Sequence, residues 1–299
     1  MMTHCRTVSA ERFARLPQHL HYAGEPNAWV QMTRPGQRLH SFLEGPCFDA
    51  NGDLWLADVP YGRIFRVDAA GDWTLEHSYD GEPHSLKRWN NKFALTDYKR
   101  GLLQFDSASK AFEVLADGFE GKPFKGLSDL AIAPNGDIWL TDSGRTSLTD
   151  PTGRVFRYRP EGGLELVLSN VPYPNGIALS PDGKFVYVAA TRANAVWRLL
   201  AASPETPPMA GIFIQLSGGL GPDGLAVDQA GILAIAHAQA GRAFLCSAQG
   251  DTLVQVQVPE GSWVTGLAFD DRSSRLYVVE AEHGAVWRVD MRQLKSSFP

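Results

Sequence analysis

The 299-residue sequence predicts an all-β fold, a six-bladed β-propeller with four-stranded blades. Two observations lead there. First, an apolar strand, a short turn and a second strand ending on a polar residue recur six times: CFDANGDLWLAD (47–58), LKRWNNKFALTD (86–97), LAIAPNGDIWLTD (130–142), IALSPDGKFVYVAAT (177–191), LAVDQAGILAIAH (225–237) and LAFDDRSSRLYVVE (267–280). Short β-rich runs around NG, NN, DG, AG or SS mark each as a hairpin. Second, a third strand follows every hairpin, opening at Gly62, Arg100, Gly153, Asn194, Gly241 and Gly284. A unit of about 40–45 residues repeated in this way is a propeller blade.

The remaining elements follow in order. A fourth strand is visible in five units, as TLEHSY, AFEVLA, LELVLS, IFIQL and LVQVQV. After the sixth the chain ends, so the missing strand is expected from the N-terminus, where WVQMT (29–33) would close the ring without an open edge. Residues 1–28 then form an extension in which helical periodicity is weak except near SAERFARL (9–16), and 1–299 is one domain. Trp55, Trp139, Trp197 and Trp287 recur at equivalent strand positions and read as packing between blades.

Composition narrows the function classes. Net charge is -5, and no basic run occurs, which argues against nucleic acid or an anionic membrane and for a small-molecule substrate. Cys5, Cys47 and Cys246 fit neither a disulfide framework nor a CxxC metal site. The N-terminus has no apolar core of a secretion signal, and no stretch is long enough for a membrane span, so a cytoplasmic location is expected. GxSxG, Walker, GxGxxG, HExxH and EF-hand patterns are absent from the sequence.

The first strand of each blade lines the channel, so the residue just before it sits at the channel mouth. Those residues are Glu44, His84, Ser128 with Asp129, Asn175, Asp223 and Thr265, spaced 40, 44, 47, 48 and 42 apart. Asn-Gly and Asp-Gly are common turn dipeptides, and alone Asn175 or Asp223 would read as turn chemistry. Glu is a poor turn former, and with Glu44 in the same register the three become an oxygen-only ligand set. Two negative charges and three oxygen ligands suit one divalent cation, Ca²⁺, Mg²⁺, Mn²⁺ or Zn²⁺, with positions left for water and substrate. His84 is either a hydrogen-bonded structural imidazole or a substrate-facing one. Ser128 offers a hydroxyl, and Asp129 either orients the ligands or caps the blade. His237 ends the second strand of blade 5, where blades 1 to 3 have Asp58, Asp97 and Asp142, and reads as a blade staple.

The motifs FLEGPCFDANGDLWLADVPYGRIFRV, DLAIAPNGDIWLTD, VPYPNGIALSPDGKFVYVA and GPDGLAVD, in this order and register over about Phe42 to Asp290, resemble the gluconolactonase/regucalcin (senescence marker protein) family of six-bladed propellers. The resemblance implies a divalent metal in the channel and hydrolysis of sugar or related lactones. Glu44, Asn175 and Asp223 match the family's metal ligands, and Asp223 its carboxylate base. Two positions depart from the family: Ser128 stands where Asn is usual, and blade 2 reads PHS rather than PNG, placing His84 at the mouth. The expected chemistry is metal-dependent lactone hydrolysis, with Asp223 activating water and with His84, Ser128, Asp129 and the rim residue Tyr61 on the substrate side. The alternatives are a metal-dependent phosphoesterase, a lyase or isomerase acting on another small catabolite, and a propeller that binds metal or ligand without turnover.

Overall fold

The computed structural model describes residues 5–201, 208–296 and 298; the rest of the predicted 1–299 domain, including the first four residues of the N-terminal extension, lies outside the described residues. Six antiparallel sheets form the six blades, each running from an inner strand at the axis outward. The inner strands are Leu43–Phe48, Pro83–Trp89, Leu127–Ile132, Pro174–Leu179, Gly221–Val227 and Val264–Asp270. Each touches the inner strand of the next blade, and the last touches the first, so the ring is closed. Apolar clusters between neighbouring sheets hold the blades together; Trp55, Trp139 and Trp287 are buried in three of them, and Trp197 packs partly buried against one. Among the described residues no helix is long and apolar enough to cross a membrane.

Closure uses a different N-terminal segment from the one expected. Strand Glu11–Arg15 pairs antiparallel with Ala285–Asp290 and completes blade 6, and Arg6–Ser9 adds a fifth, parallel strand to blade 5. Residues 9–16, read as weakly helical, are therefore strand for most of their length. Pairing and packing decide it: Ala14 is buried, Phe13 packs edge-on against Tyr277 at 5.1 Å in the same apolar cluster, and Glu11 and Arg15 pair with Arg288 and Glu260 at 2.7 and 2.8 Å. WVQMT lies instead in the helix α1, Ala28–Thr33. Asn27 caps it by accepting from the Val30 N–H at 3.0 Å, and Trp29 and Val30 are buried on Phe42, Val59 and Ala281.

Two backbone features position the channel residues. Every inner strand has a register shift near its start: Glu44/Cys47, Pro83/Ser85, Leu127/Leu130, Pro174/Ile177, Pro222/Leu225 and Val264/Gly266. Bulges of this kind re-aim a side chain and release backbone groups from the ladder. Thus Asn175-Gly176 and Asp223-Gly224 are not turns but bulges inside strands. The glycines answer a close approach: a Cβ on Gly176 would lie 2.1 Å from the Asp223 carbonyl oxygen, and one on Gly224 2.6 Å from that of Thr265. The second feature is an acid at the end of the second strand that accepts the N–H leading into its own blade's inner strand. Asp58, Asp97, Asp142 and Glu280 do this for Phe42, Glu82, Gly126 and Trp263 at 2.7, 3.0, 2.8 and 3.2 Å. His237, fully buried, instead bonds the Gly218 carbonyl through Nε2 at 3.0 Å.

Because the Gly176 contact is with backbone, Gly176→Ala is expected to cost about 1–3 kcal/mol and lower Tm by several degrees. Gly211→Ala, where a Cβ meets nothing within 4 Å, should stay within about 0.5 kcal/mol of wild type. Thermal melts of the two variants side by side check this.

Candidate functional site

A cavity of about 780 Å³ opens at the end of the channel where the inner strands begin, and Glu44, His84, Ser128, Asn175 and Asp223 all line it. The five blades that carry them thus bring together the side chains that share a register in the sequence. Thr265 and Asp129 lie deeper, along the channel itself.

The side chains form a short chain of bonds. Ser128 Oγ donates to Asn175 Oδ1 at 2.6 Å, and Asn175 Nδ2 donates to Asp223 Oδ1 at 2.5 Å. Threonine hydroxyls hold the bulged backbone beneath them. Thr96 donates to the Ser128 carbonyl at 2.5 Å, Thr141 to that of Asn175 at 2.7 Å, Thr191 to that of Pro222 at 2.7 Å and Thr265 to that of Leu43 at 2.8 Å. Each bond crosses from one blade to the next and satisfies a carbonyl near a bulge.

Electrostatics at the floor are unbalanced. Asp223 is 5% exposed, and neither it nor Glu44 has a Lys or Arg in ion-pair contact among the described residues. Both carboxyls are pushed well above the usual carboxylate range, Glu44 by burial and by the charges of Asp223 and Asp129, Asp223 by burial and by Asp129. Converging carboxylates without an ion-pair partner, Asp223 buried and Glu44 half-buried, beside an amide oxygen, are the donor set a hard divalent cation relieves. The residues fit such an ion.

The other expected site residues separate. His84 faces the cavity; its Nδ1 lies 3.1 Å from the Glu82 carbonyl, so that nitrogen donates and Nε2 is left as the acceptor. Burial holds its imidazole below the usual pKa, in the neutral form. Asp129 does not reach the substrate side. Its Oδ1 accepts the Leu130 N–H at 2.8 Å and its Oδ2 the Ile177 N–H of blade 4 at 3.0 Å, so it fixes the strand that carries Asn175. Tyr61 is likewise outside the cavity: its hydroxyl donates to the Leu39 carbonyl and its ring stacks on Tyr22 at 3.8 Å. A second acidic and imidazole cluster, Glu280, Glu282 and His283, is already engaged, Glu280 with the Trp263 and His283 N–H groups and Glu282 with Arg34.

Sequence reasoning missed several lining residues. Tyr173 lies two residues before Asn175 with φ +58, a left-handed conformation that costs a non-glycine residue roughly 1–2 kcal/mol. Its N–H donates to Thr146 Oγ1 at 3.0 Å and its carbonyl accepts from the Thr191 N–H at 3.1 Å, which pins it. The lid was also missed: Trp29, Met32 and Thr33 of α1, with Arg34 after it, line the cavity, as do Arg145 and Arg192. The dipeptide Tyr173-Pro174 ahead of a predicted channel residue was the one available signal.

Replacing a repelling carboxylate by its neutral isostere should stabilise the protein when metal is stripped. Glu44→Gln is therefore expected to raise Tm in chelator, and millimolar Ca²⁺, Mn²⁺ or Zn²⁺ is expected to raise the Tm of wild type but not of this variant. Melts with and without each ion measure both effects.

Residues 42–292 match the model of the SMP-30/Gluconolactonase/LRE-like region. A gluconolactonase of Zymomonas mobilis is 27% identical over 277 residues, covering 81% of this chain and 77% of that protein. Diisopropyl-fluorophosphatase of Loligo vulgaris is 24% identical over 290 residues, covering 84% and 89%. Among solved structures, regucalcin of Agrobacterium tumefaciens, titled a calcium-binding protein, superposes with a TM-score of 0.73 at 24% identity over 84% of this chain and 90% of that one. A gluconolactonase of Xanthomonas campestris gives 0.73 at 21% identity over 83% and 85%. With most of the blades inside one family match, the chain belongs to the SMP-30/gluconolactonase/LRE-like family.

Proposed function

We propose that the protein hydrolyses a lactone, with Glu44, Asn175 and Asp223 holding one divalent cation at the cavity floor. The observation that carries this reading is the pair of uncompensated carboxyls, Glu44 and Asp223, converging with the Asn175 amide that bonds Asp223 at the floor of a cavity sized for a small molecule. What a cation supplies there is a Lewis acid for the ester carbonyl and for the oxyanion that develops on it.

The chain's own groups do the rest. Asp223 takes the proton of the attacking water at its carboxylate, and the bond from Asn175 fixes the orientation of that carboxylate. Ser128 lines the cavity and holds Asn175 by donating its hydroxyl to Oδ1. His84, with Nε2 as acceptor, receives a hydroxyl of the substrate. Trp29, Trp263 and Tyr173 give the walls apolar surface against which a ring can lie and water is excluded. The gluconolactonase and lactonase relatives support the choice of a lactone. The fluorophosphatase relative supports a second reading in which the same floor serves a phosphorus ester.

Asp223→Ala is expected to lower kcat on the best lactone of a panel at least 10³-fold. His84→Gln should act mainly on KM. A pH-indicator assay over sugar lactones and a fluorophosphate, each with and without chelator, reads both. Near-full activity in the Asp223 variant sinks the assignment of the base, and turnover of the fluorophosphate alone favours the second reading.

A further inference from the structure

The cavity is acidic at its floor and cationic at its rim. Arg145 and Arg192 both line it and both are exposed. Among the described residues neither makes an ion pair. Arg145 Nη2 reaches only the hydroxyl of Thr33, at 3.2 Å, and the Arg192 guanidinium lies over the Tyr173 ring at 5.7 Å. A third guanidinium, Arg34, lines the same cavity and is 8% exposed. Its Nη2 is taken by Gln37 and Glu282, its face lies 4.5 Å from the centre of the Trp263 ring, and its Nη1 has no hydrogen-bond partner. The one carboxylate lining the cavity apart from the floor pair, Glu82, already faces Lys99 at 3.3 Å. The rim therefore holds two guanidiniums outside any ion pair among the described residues, brought there by blades 3 and 4 on either side of Tyr173; Arg145 feels the charge of Glu82 without contacting it.

Several other arginines of the chain are matched. Arg63, Arg66, Arg154 and Arg157 each pair with an Asp or Glu at 2.5–2.6 Å. What sets Arg145 and Arg192 apart is their place: both line the cavity. A planar guanidinium binds carboxylate or phosphate oxygens in bidentate fashion, and two exposed ones facing one cavity offer such a group its partners.

We propose that Arg145 and Arg192 form an anion subsite, so that the lactone turned over at the floor carries a carboxylate or phosphate at the end remote from its ester. This rests on the lactonase reading for the reaction but not for the binding. The substrate class becomes the lactone of a dicarboxylic sugar acid, or a phosphorylated lactone, in place of a neutral aldonolactone. The floor and rim also orient such a molecule: its ester goes to the carboxylate end and its anion to the arginine end, which fixes the scissile bond beside Asp223.

The test compares glucaro-γ-lactone, which keeps a free carboxylate, with glucono-γ-lactone, which has a hydroxymethyl group there, and adds phosphogluconolactone as the phosphate arm. Each is assayed with wild type, Arg145→Gln/Arg192→Gln and the corresponding double Lys variant, after thermal melts confirm that all three are folded. Wild type is expected to favour an anionic lactone, and which one is favoured identifies the anion. In the Gln variant the ratio of kcat/KM for the anionic to the neutral lactone should fall at least tenfold, chiefly through KM, and the Lys variant should recover part of it. The wild-type ratio should also fall as salt is raised to about 0.5 M, since exposed guanidiniums are screened. An unchanged ratio in the Gln variant overturns the subsite. If wild type turns over no lactone, the lactonase reading has failed, and calorimetric titration with open-chain glucarate against gluconate decides the subsite alone. Tighter glucarate binding that is lost in the Gln variant upholds it, and equal binding of the two acids overturns it.

Discussion

The site depends on how closely six strand backbones meet around one axis. Inner strands that carried a side chain at every position could not approach to the distances seen, because a Cβ on Gly45, Gly176, Gly224 or Gly266 would fall 2.1–2.6 Å from the backbone or proline ring of the next blade. Bulging the strands at that level lets them fit but strips carbonyls from the ladder, and threonine hydroxyls from neighbouring blades replace the lost donors. The same distortion turns Glu44, Asn175 and Asp223 toward the axis. Packing, hydrogen-bond satisfaction and the placement of the carboxylates are one solution to a single geometric problem. A carboxylate on a free loop would swing away from its neighbour's charge; on a bulge locked between two blades it cannot, so burial and neighbouring charge keep both carboxyls well above the usual carboxylate range.

The N-terminal segment completes this arrangement from outside the ring. Strand Glu11–Arg15 closes blade 6, and the chain then returns over the channel mouth as α1. Its buried face packs on Phe42, immediately before the strand of Glu44, so the lid and the first carboxylate share one apolar cluster. Arg145 bonds Thr33 across the cavity, tying the end of α1 to blade 3. Access to the floor is therefore governed by residues that belong to no blade.

The propeller and the converging residues were legible because repetition multiplies a weak signal. One Asp-Gly says little, but six polar positions at matching intervals state a register, and register in a propeller means convergence. The role of the glycines was not legible, since Asn-Gly in a bulge and in a turn is the same dipeptide and only the neighbouring blade distinguishes them. The closing strand was misplaced for a related reason. WVQMT has the composition of a strand, but Asn27 caps a helix there and Trp29 has a pocket to fill, while ERFAR gains its strand from the edge of Ala285–Asp290. Tyr61 follows the second strand of blade 1 and points at Leu39 rather than at the cavity, a direction set by the stacking of Tyr22, which no blade pattern records. Arg145, Arg192 and the lid lie in connections outside the repeat, where repetition carries no information.

The two departures from the family pattern act on different partners. Ser128 is too short to stand beside the floor carboxylates as a further amide ligand; its hydroxyl is spent on Asn175 Oδ1. That oxygen keeps a second lone pair, so the amide can accept from Ser128 and still serve a cation, while its N–H₂ holds Asp223. Ser128 thus acts through Asn175, fixing the amide that holds Asp223. His84 is free of that chain. Anchored to the Glu82 carbonyl and kept neutral by burial, it offers the cavity an acceptor and no charge. The acidic floor therefore gains no competing cation from it, and positive charge is confined to the rim, where it can separate the two ends of a substrate.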